Sequence, residues 1–330
     1  MKTALISRYG AYGDHLHAAH LPRLIKEHYG VEHLSFETNY QGIQILQNNP
    51  FIDDLIYIDP LSFTSLNLEQ HWNYLADQCD LFFNLYHSIE YGCIAMEDEQ
   101  SYFRNDEYRR KKYGHLPMCD VLTRWAGLPE SYYGNRGILY YDDVEHEKAK
   151  AFIQSCREKY GVKYVALVCP SGSSLHKKFI QAEEICHRIL DEYPDTMIIT
   201  TGDTYCVKQD AVHKRILSKI TKWNFRTVAL MVKYMDYYIG PNTGLSCVAN
   251  SWDTPTIQLF TADSMLTHSS YAKNAFGVQS PIHCSPCHKG PYKYIGCPIK
   301  NEHPACIFYS TDKIMTVLKE LRDVCLPRTS

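Results

Sequence analysis

Apolar residues along the chain fall into two alternating patterns. Short continuous runs of four to seven residues give way to longer stretches in which they recur every three or four positions. The first pattern suits a buried strand and the second a helix with one covered face. From the start these are an apolar run at 3–8, a loop at 9–13, helical spacing over 15–30, a run at 33–38, a helix over 40–49 and a run at 53–59. A further strand is expected at 80–86, and 97–136 is polar, aromatic and mainly helical or irregular. The alternation restarts with a charged helix over 144–160, a strand at 163–170, a helix over 179–193 and a strand at 196–202. A helix near 207–219, a strand at 235–240, a helix from 244 and a strand at 254–260 follow. The chain closes with an amphipathic helix over 311–323, for which Thr311 is the expected N-cap.

Strands that alternate with helices across short connections predict parallel sheets covered on both faces. Two such series in 330 residues predict two doubly wound α/β domains, 1–143 and 144–330, with the boundary near Asp142 and Asp143. Ligands of such sheets bind beyond the carboxyl ends of the strands. No run of about twenty apolar residues is present, and the first residues lack the shape of a signal peptide. The expected location is cytoplasmic, where most of the thirteen cysteines stay reduced.

Charge divides unevenly. The net charge of −3 is the sum of about −9 over residues 1–143 and +6 over 144–330. A positive second half suits an anionic ligand such as a nucleoside diphosphate, and an acidic first half is a poor general surface for nucleic acid.

Three turns carry candidate chemistry. Gly10-Ala-Tyr-Gly13-Asp14-His15-Leu16-His17 follows the first strand; Asp14 reads either as a first-turn helix acid or as a functional carboxylate. The turn lacks the third glycine of a dinucleotide fingerprint and the Lys-Ser/Thr of a phosphate loop. Pro170-Ser-Gly-Ser173-Ser174-Leu-His-Lys177-Lys-Phe179 lies between a strand and a helix, where amides, hydroxyls and a lysine suit phosphates. Gly240-Pro-Asn242-Thr243-Gly244 again joins a strand to a helix, with Asn242 or Thr243 as a cap.

In this order, with Thr254-Pro255-Thr256 and Cys284-Ser285-Pro286-Cys287, these motifs resemble glycosyltransferase family 9, the ADP-heptose:lipopolysaccharide heptosyltransferases. The similarity spans nearly the whole chain. It implies the GT-B fold, two Rossmann-like doubly wound parallel-sheet domains facing a cleft, with the acceptor on 1–143 and a nucleotide sugar on 144–330. The implied activity is inverting transfer of a sugar, heptose by family default, from a nucleotide-diphosphate donor, ADP-linked in the family, to a hydroxyl of a glycan, lipopolysaccharide core or protein.

Carried over by position, Asp14 is the implied base, and Gly13, His17, Glu90, Arg109 and Arg110 are acceptor-side candidates. Ser173, Ser174, Lys177, Asp203, Trp223, Asn242, Thr243 and Gly244 are the donor-side candidates, with the Trp223 indole stacking on the base. Arg109 and Arg110 also read simply as part of a solvated mixed-charge face. The sequence departs from the family at Asn242, where the family has Asp, and at Cys247, where it has His.

Cys284, Cys287, Cys297 and Cys306, in a loop over 283–306, suit a closed tetrahedral zinc or iron site of structural type. The family's autotransporter-modifying branch has a comparable iron finger. No catalytic metal is expected. Two other classes stay open: an inactive nucleotide-sugar-binding or assembly module, and a GT-B enzyme acting on nucleic acid. A homo-oligomer is compatible with either.

Overall fold

The computed structural model describes residues 1–86, 116–172, 174–202, 207–209, 212–218, 223–287 and 304–327. Glu90, Arg109, Arg110, Ser173, Asp203 and Cys297 lie outside the described residues. The chain divides into two compact units, Met1–Tyr141 and Asp142–Ser330.

The first unit is built on a four-stranded parallel sheet in the order β3-β2-β1-β4, with β1 Thr3–Arg8, β2 His33–Thr38, β3 Asp54–Tyr57 and β4 Leu81–Asn84. The expected helix over 15–30 is two helices, α1 Tyr12–Ala18 and α2 Leu21–Tyr29. Pro22, in the first turn of α2, supplies no amide to continue α1 and is tolerated only at a new start. Helices α3 Tyr40–Leu46, α4 Ser65–Ala76 and α5 Met118–Trp125 complete the described helices of this unit.

The second unit carries a six-stranded parallel sheet in the order β10-β9-β8-β5-β6-β7. Its strands are β5 Tyr164–Val168, β6 Thr196–Thr200, β7 Ile216–Ser218, β8 Tyr237–Pro241, β9 Thr256–Phe260 and β10 Ala275–Gln279. The helices are α6 Asp143–Tyr160, α7 Ala182–Glu192, α8 Phe225–Tyr234, α9 Gly244–Ser251, α10 Met265–Ser269 and α11 Thr311–Cys325. Asp142 caps α6 by accepting from the Glu145 amide at 2.8 Å, and Glu145 accepts from the Asp142 amide at 3.0 Å, a reciprocal capping box. Central strands β5, β6, β8 and β9 are buried at every position, which is why apolar residues dominate them on both faces instead of alternating with polar ones. Helix α11 lays Ile314, Leu318 and Leu321 on this core.

The structure corrects three details. No described residue of the expected 207–219 helix is helical; the segment contributes the edge strand β7, and the carbonyl of Arg215 just before it accepts from the Ile198 amide at 2.9 Å. A short apolar pair such as Ile216-Leu217 fits either period, and pairing with β6 decides it. The helix of that crossover is α8, capped by the Asn224 side chain, which accepts from the Thr227 amide at 2.8 Å. At the C-terminal helix the cap is Ser310, accepting from the Lys313 amide, and Thr311 is the first helical residue. Among the described residues no helix is long and apolar enough to cross a membrane.

Candidate functional site

In each sheet the strand order reverses beside the first strand of the unit: at β1, flanked by β2 and β4, and at β5, flanked by β6 and β8. Crossovers leave such a switch point in opposite directions, opening a crevice at the carboxyl ends of the strands. The three turns singled out in the sequence follow β1, β5 and β8, so all three lie at switch-point strands.

In the first unit, Asp14 occupies the third position of α1, where its Oδ2 accepts from the Ala11 amide at 2.8 Å. The first-turn helix role is therefore real. The same oxygen lies 3.8 Å from Nη2 of Arg8, a guanidinium with no exposed side-chain surface. Asp14 keeps 33% of its side chain exposed, and Oδ1 takes no hydrogen bond from any described residue. One oxygen is anchored and the other is reachable. Gly10 permits this approach: its φ is +139°, and a Cβ there would stand 2.7 Å from Oδ2 of Asp14. Gly13 sits half-buried in the first turn of α1.

The two histidines of the motif turn inward. His15 is fully buried, with Nδ1 2.8 Å from the Ala11 carbonyl and Nε2 2.8 Å from Oγ1 of Thr38. Burial, then the Arg8 charge, lowers its pKa to about 4, so the ring is neutral near pH 7. His17, expected to face an acceptor, is buried with Nδ1 3.6 Å from Sγ of Cys119 on α5; it braces the helix that carries Asp14.

In the second unit the turn after β5 folds back on itself. The Gly172 amide donates to the Lys177 carbonyl at 2.8 Å, and the Lys177 amide donates to the Ser174 carbonyl at 2.8 Å. Gly172 also packs against the turn after β8, since a Cβ on it would lie 2.7 Å from Cγ2 of Thr243 and 3.3 Å from Cβ of Lys177. The structure thus brings Ser174, Lys177, Thr243 and Gly244 together. Thr243 precedes α9 as its N-cap, in extended geometry; its amide donates to Oγ of Ser246 at 2.9 Å, and the Ser246 hydroxyl donates to the Thr243 carbonyl at 2.8 Å. A helix N-terminus beside a lysine-bearing turn is suited to a diphosphate.

Asn242 is buried and donates Nδ2 to Oδ2 of Asp263, also buried, at 3.0 Å. Nε2 of His268 stands 4.0 Å from the same carboxylate oxygen. Asp263 lies in the loop after β9, which is joined to both turns: the Thr261 hydroxyl donates to the His176 carbonyl at 3.0 Å. The loop also receives the cysteine segment, as the Ser285 hydroxyl donates to the Thr261 carbonyl at 2.6 Å. Neither Asp263 nor Arg8 was anticipated from sequence; the only local signal is an acid shortly after a predicted strand.

Trp223 is half-buried and meets Phe152 of α6 edge-on, ring centroids 5.1 Å apart. Cys284 and Cys287 are half-buried, as is Cys306 in the short 3₁₀ turn Ala305–Ile307. Among the described residues no group of three or more His, Cys, Asp or Glu is placed to hold a metal ion.

Residues 206–295 match the family model of glycosyltransferase family 9 (heptosyltransferase). No curated protein sequence matches the chain significantly. Among solved structures the chain is similar to a glycosyl transferase family 9 protein of Veillonella parvula, with 14% identity over 97% of each chain and a TM-score of 0.64. It is similar to E. coli ADP-heptose lps heptosyltransferase II, with 12% identity over 97% of this chain and 98% of that one, TM-score 0.64. A third likeness is to the iron-containing dodecameric glycosyltransferase TibC of enterotoxigenic E. coli, with 10% identity over 98% and 76% of the two chains, TM-score 0.60. At these identities the likeness is one of fold, the GT-B fold with its two Rossmann-like parallel sheets.

Proposed function

We propose that this chain, assigned to glycosyltransferase family 9 by its family-model match and its GT-B fold, catalyses inverting transfer of a sugar, with heptose on ADP as the first donor to test. The observation that carries the donor half is the contact between two turns at one switch point, Gly172 against Thr243. The acceptor half rests on Asp14, a carboxylate with one oxygen anchored and one open.

In this mechanism the acceptor hydroxyl, bound on the first unit, approaches Oδ1 of Asp14. Its proton passes to that oxygen as the hydroxyl oxygen bonds to the anomeric carbon. The bond from that carbon to the diphosphate oxygen breaks on the opposite face, and the electron pair leaves with the nucleoside diphosphate. Lys177, the hydroxyl of Ser174 and the amides at the start of α9 stabilise the charge gathering there. Gly13, adjoining Asp14 without a side chain, leaves room for the acceptor.

Asn242 in place of a family Asp, together with Cys247 in place of a family His, is the motive for reading the chain as an inactive binding module. The bond from Asn242 to Asp263 keeps a carboxylate beside the turn, which favours a working donor site. Lys177→Ala is expected to weaken ADP binding about tenfold, the order of one charge-assisted contact. Calorimetry on the purified protein measures this. Unchanged affinity places the phosphates elsewhere.

The four cysteines are proposed to bind one structural zinc or iron ion, a reading supported by their thiolate chemistry and spacing. Elemental analysis is expected to return one ion per chain, and a chelator to lower the melting temperature. A metal-free protein that melts at the same temperature with and without chelator refutes the site.

A further inference from the structure

A second polar centre lies at the carboxyl ends of β1 and β2, outside the Asp14 mechanism. Glu37, the penultimate residue of β2, is only 2% exposed. Its Oε1 accepts from the hydroxyls of Tyr9 and Ser7, the latter at 3.2 Å, and its Oε2 is 2.7 Å from Nε2 of His71 on α4. Burial, then Glu37 itself, pushes the Tyr9 phenol well above its usual range, so that group stays a donor. Burying a carboxylate among three donors is costly unless every partner is in place.

The consequence falls on His71. In the neutral ring, a carboxylate that accepts from Nε2 fixes the tautomer with its proton there. Nδ1 is then a lone-pair acceptor. It takes no hydrogen bond from any described residue, and 21% of the side chain is exposed. Phe63 lies beside the imidazole, centroids 5.1 Å apart, and is half-buried, as is Tyr86, which packs on Tyr9 at 5.3 Å. With the ring neutral, the pair carries the negative charge of the buried Glu37 carboxylate and repels an anion. A directed acceptor beside the half-buried Phe63 ring suits a hydroxyl-bearing ring, which donates O–H to nitrogen and lays C–H groups on the aromatic face. The site is tied to the Asp14 turn through Tyr9, whose carbonyl accepts from Nη1 of Arg8, the same side chain that faces Asp14.

We propose that His71, oriented by Glu37, is a sugar-hydroxyl-binding residue of the first unit, reading a ring of the acceptor beside the Asp14 turn. Its placement on the acceptor rests on the transferase reading above; the binding itself does not. The test uses full-length protein with ¹⁵N-labelled histidine, saturated with ADP so that the diphosphate site is filled. The ring nitrogens of His71, assigned by their loss in His71→Gln, are followed during titration with glucose, galactose or glycero-manno-heptose, and separately with inorganic phosphate and acetate.

The expected result is a His71 ring with the proton on Nε2 and an Nδ1 resonance that moves saturably with at least one sugar and not with either anion. In Glu37→Gln, which keeps an acceptor oxygen, sugar binding is retained but weaker. Should that variant fail to fold, the wild-type and His71→Gln titrations decide alone. No movement with any sugar overturns the proposal, and movement with phosphate or acetate only makes the pair an anion site instead. Failure here leaves ADP binding at Lys177 standing, and the calorimetry can fail with this result intact.

Discussion

Asp14→Asn is expected to lower sugar transfer by about 10²–10⁴-fold, the range over which a positioned general base contributes, with ADP affinity unchanged. The substitution separates the two roles of the carboxylate. An Asn carbonyl oxygen still accepts from the Ala11 amide, so the first turn of α1 keeps its anchor. What disappears is the capacity of the other oxygen to take a proton, together with the negative charge facing buried Arg8. Steady-state kinetics with ADP-heptose, alongside a melting curve and ADP calorimetry, report the three quantities separately. Transfer near the wild-type rate removes Asp14 from the mechanism. A large fall in melting temperature makes the carboxylate chiefly a structural partner of Arg8.

The anchored half of Asp14 is legible in the sequence because its contacts are local. A Gly-rich turn after a strand and an acid at a helix start are neighbours in the chain, so their geometry is set within a few residues. The same holds for the turns at 170–179 and 240–244, and for the four central strands of the second sheet, which are buried on both faces and so spell themselves out in Val, Ile, Leu and Tyr. Edge strands lack that signature: β7 has three residues, and β10 buries only Val278 fully. The parts of the sites that escaped prediction are pairings across long separations. Glu37 and His71 are 34 residues apart and Asn242 and Asp263 are 21 apart. Packing of α4 against the first sheet brings the first pair together, and the pairing of β8 with β9 the second.

The anchoring also makes a prediction about position rather than chemistry. Gly10→Ala is expected to reduce transfer by roughly 10²-fold, the scale on which a misplacement of about 1 Å acts, although Asp14 itself is intact. The added methyl would start 2.7 Å from Oδ2 of Asp14, inside van der Waals contact, in a backbone conformation at φ +139° that L-residues rarely adopt. Relief requires the carboxylate to swing away from the Ala11 amide or the turn to open; either moves Oδ1. The strain also costs stability, about 1–3 kcal/mol for such a conformation, read as a lower melting temperature. ADP affinity stays unchanged, because the donor turns belong to the other unit of the chain. Combining Gly10→Ala with Asp14→Asn distinguishes the causes. If Gly10 acts through the carboxylate, the double variant transfers sugar no more slowly than Asp14→Asn alone. Losses that multiply instead assign Gly10 a separate role, such as direct contact between the turn and the acceptor.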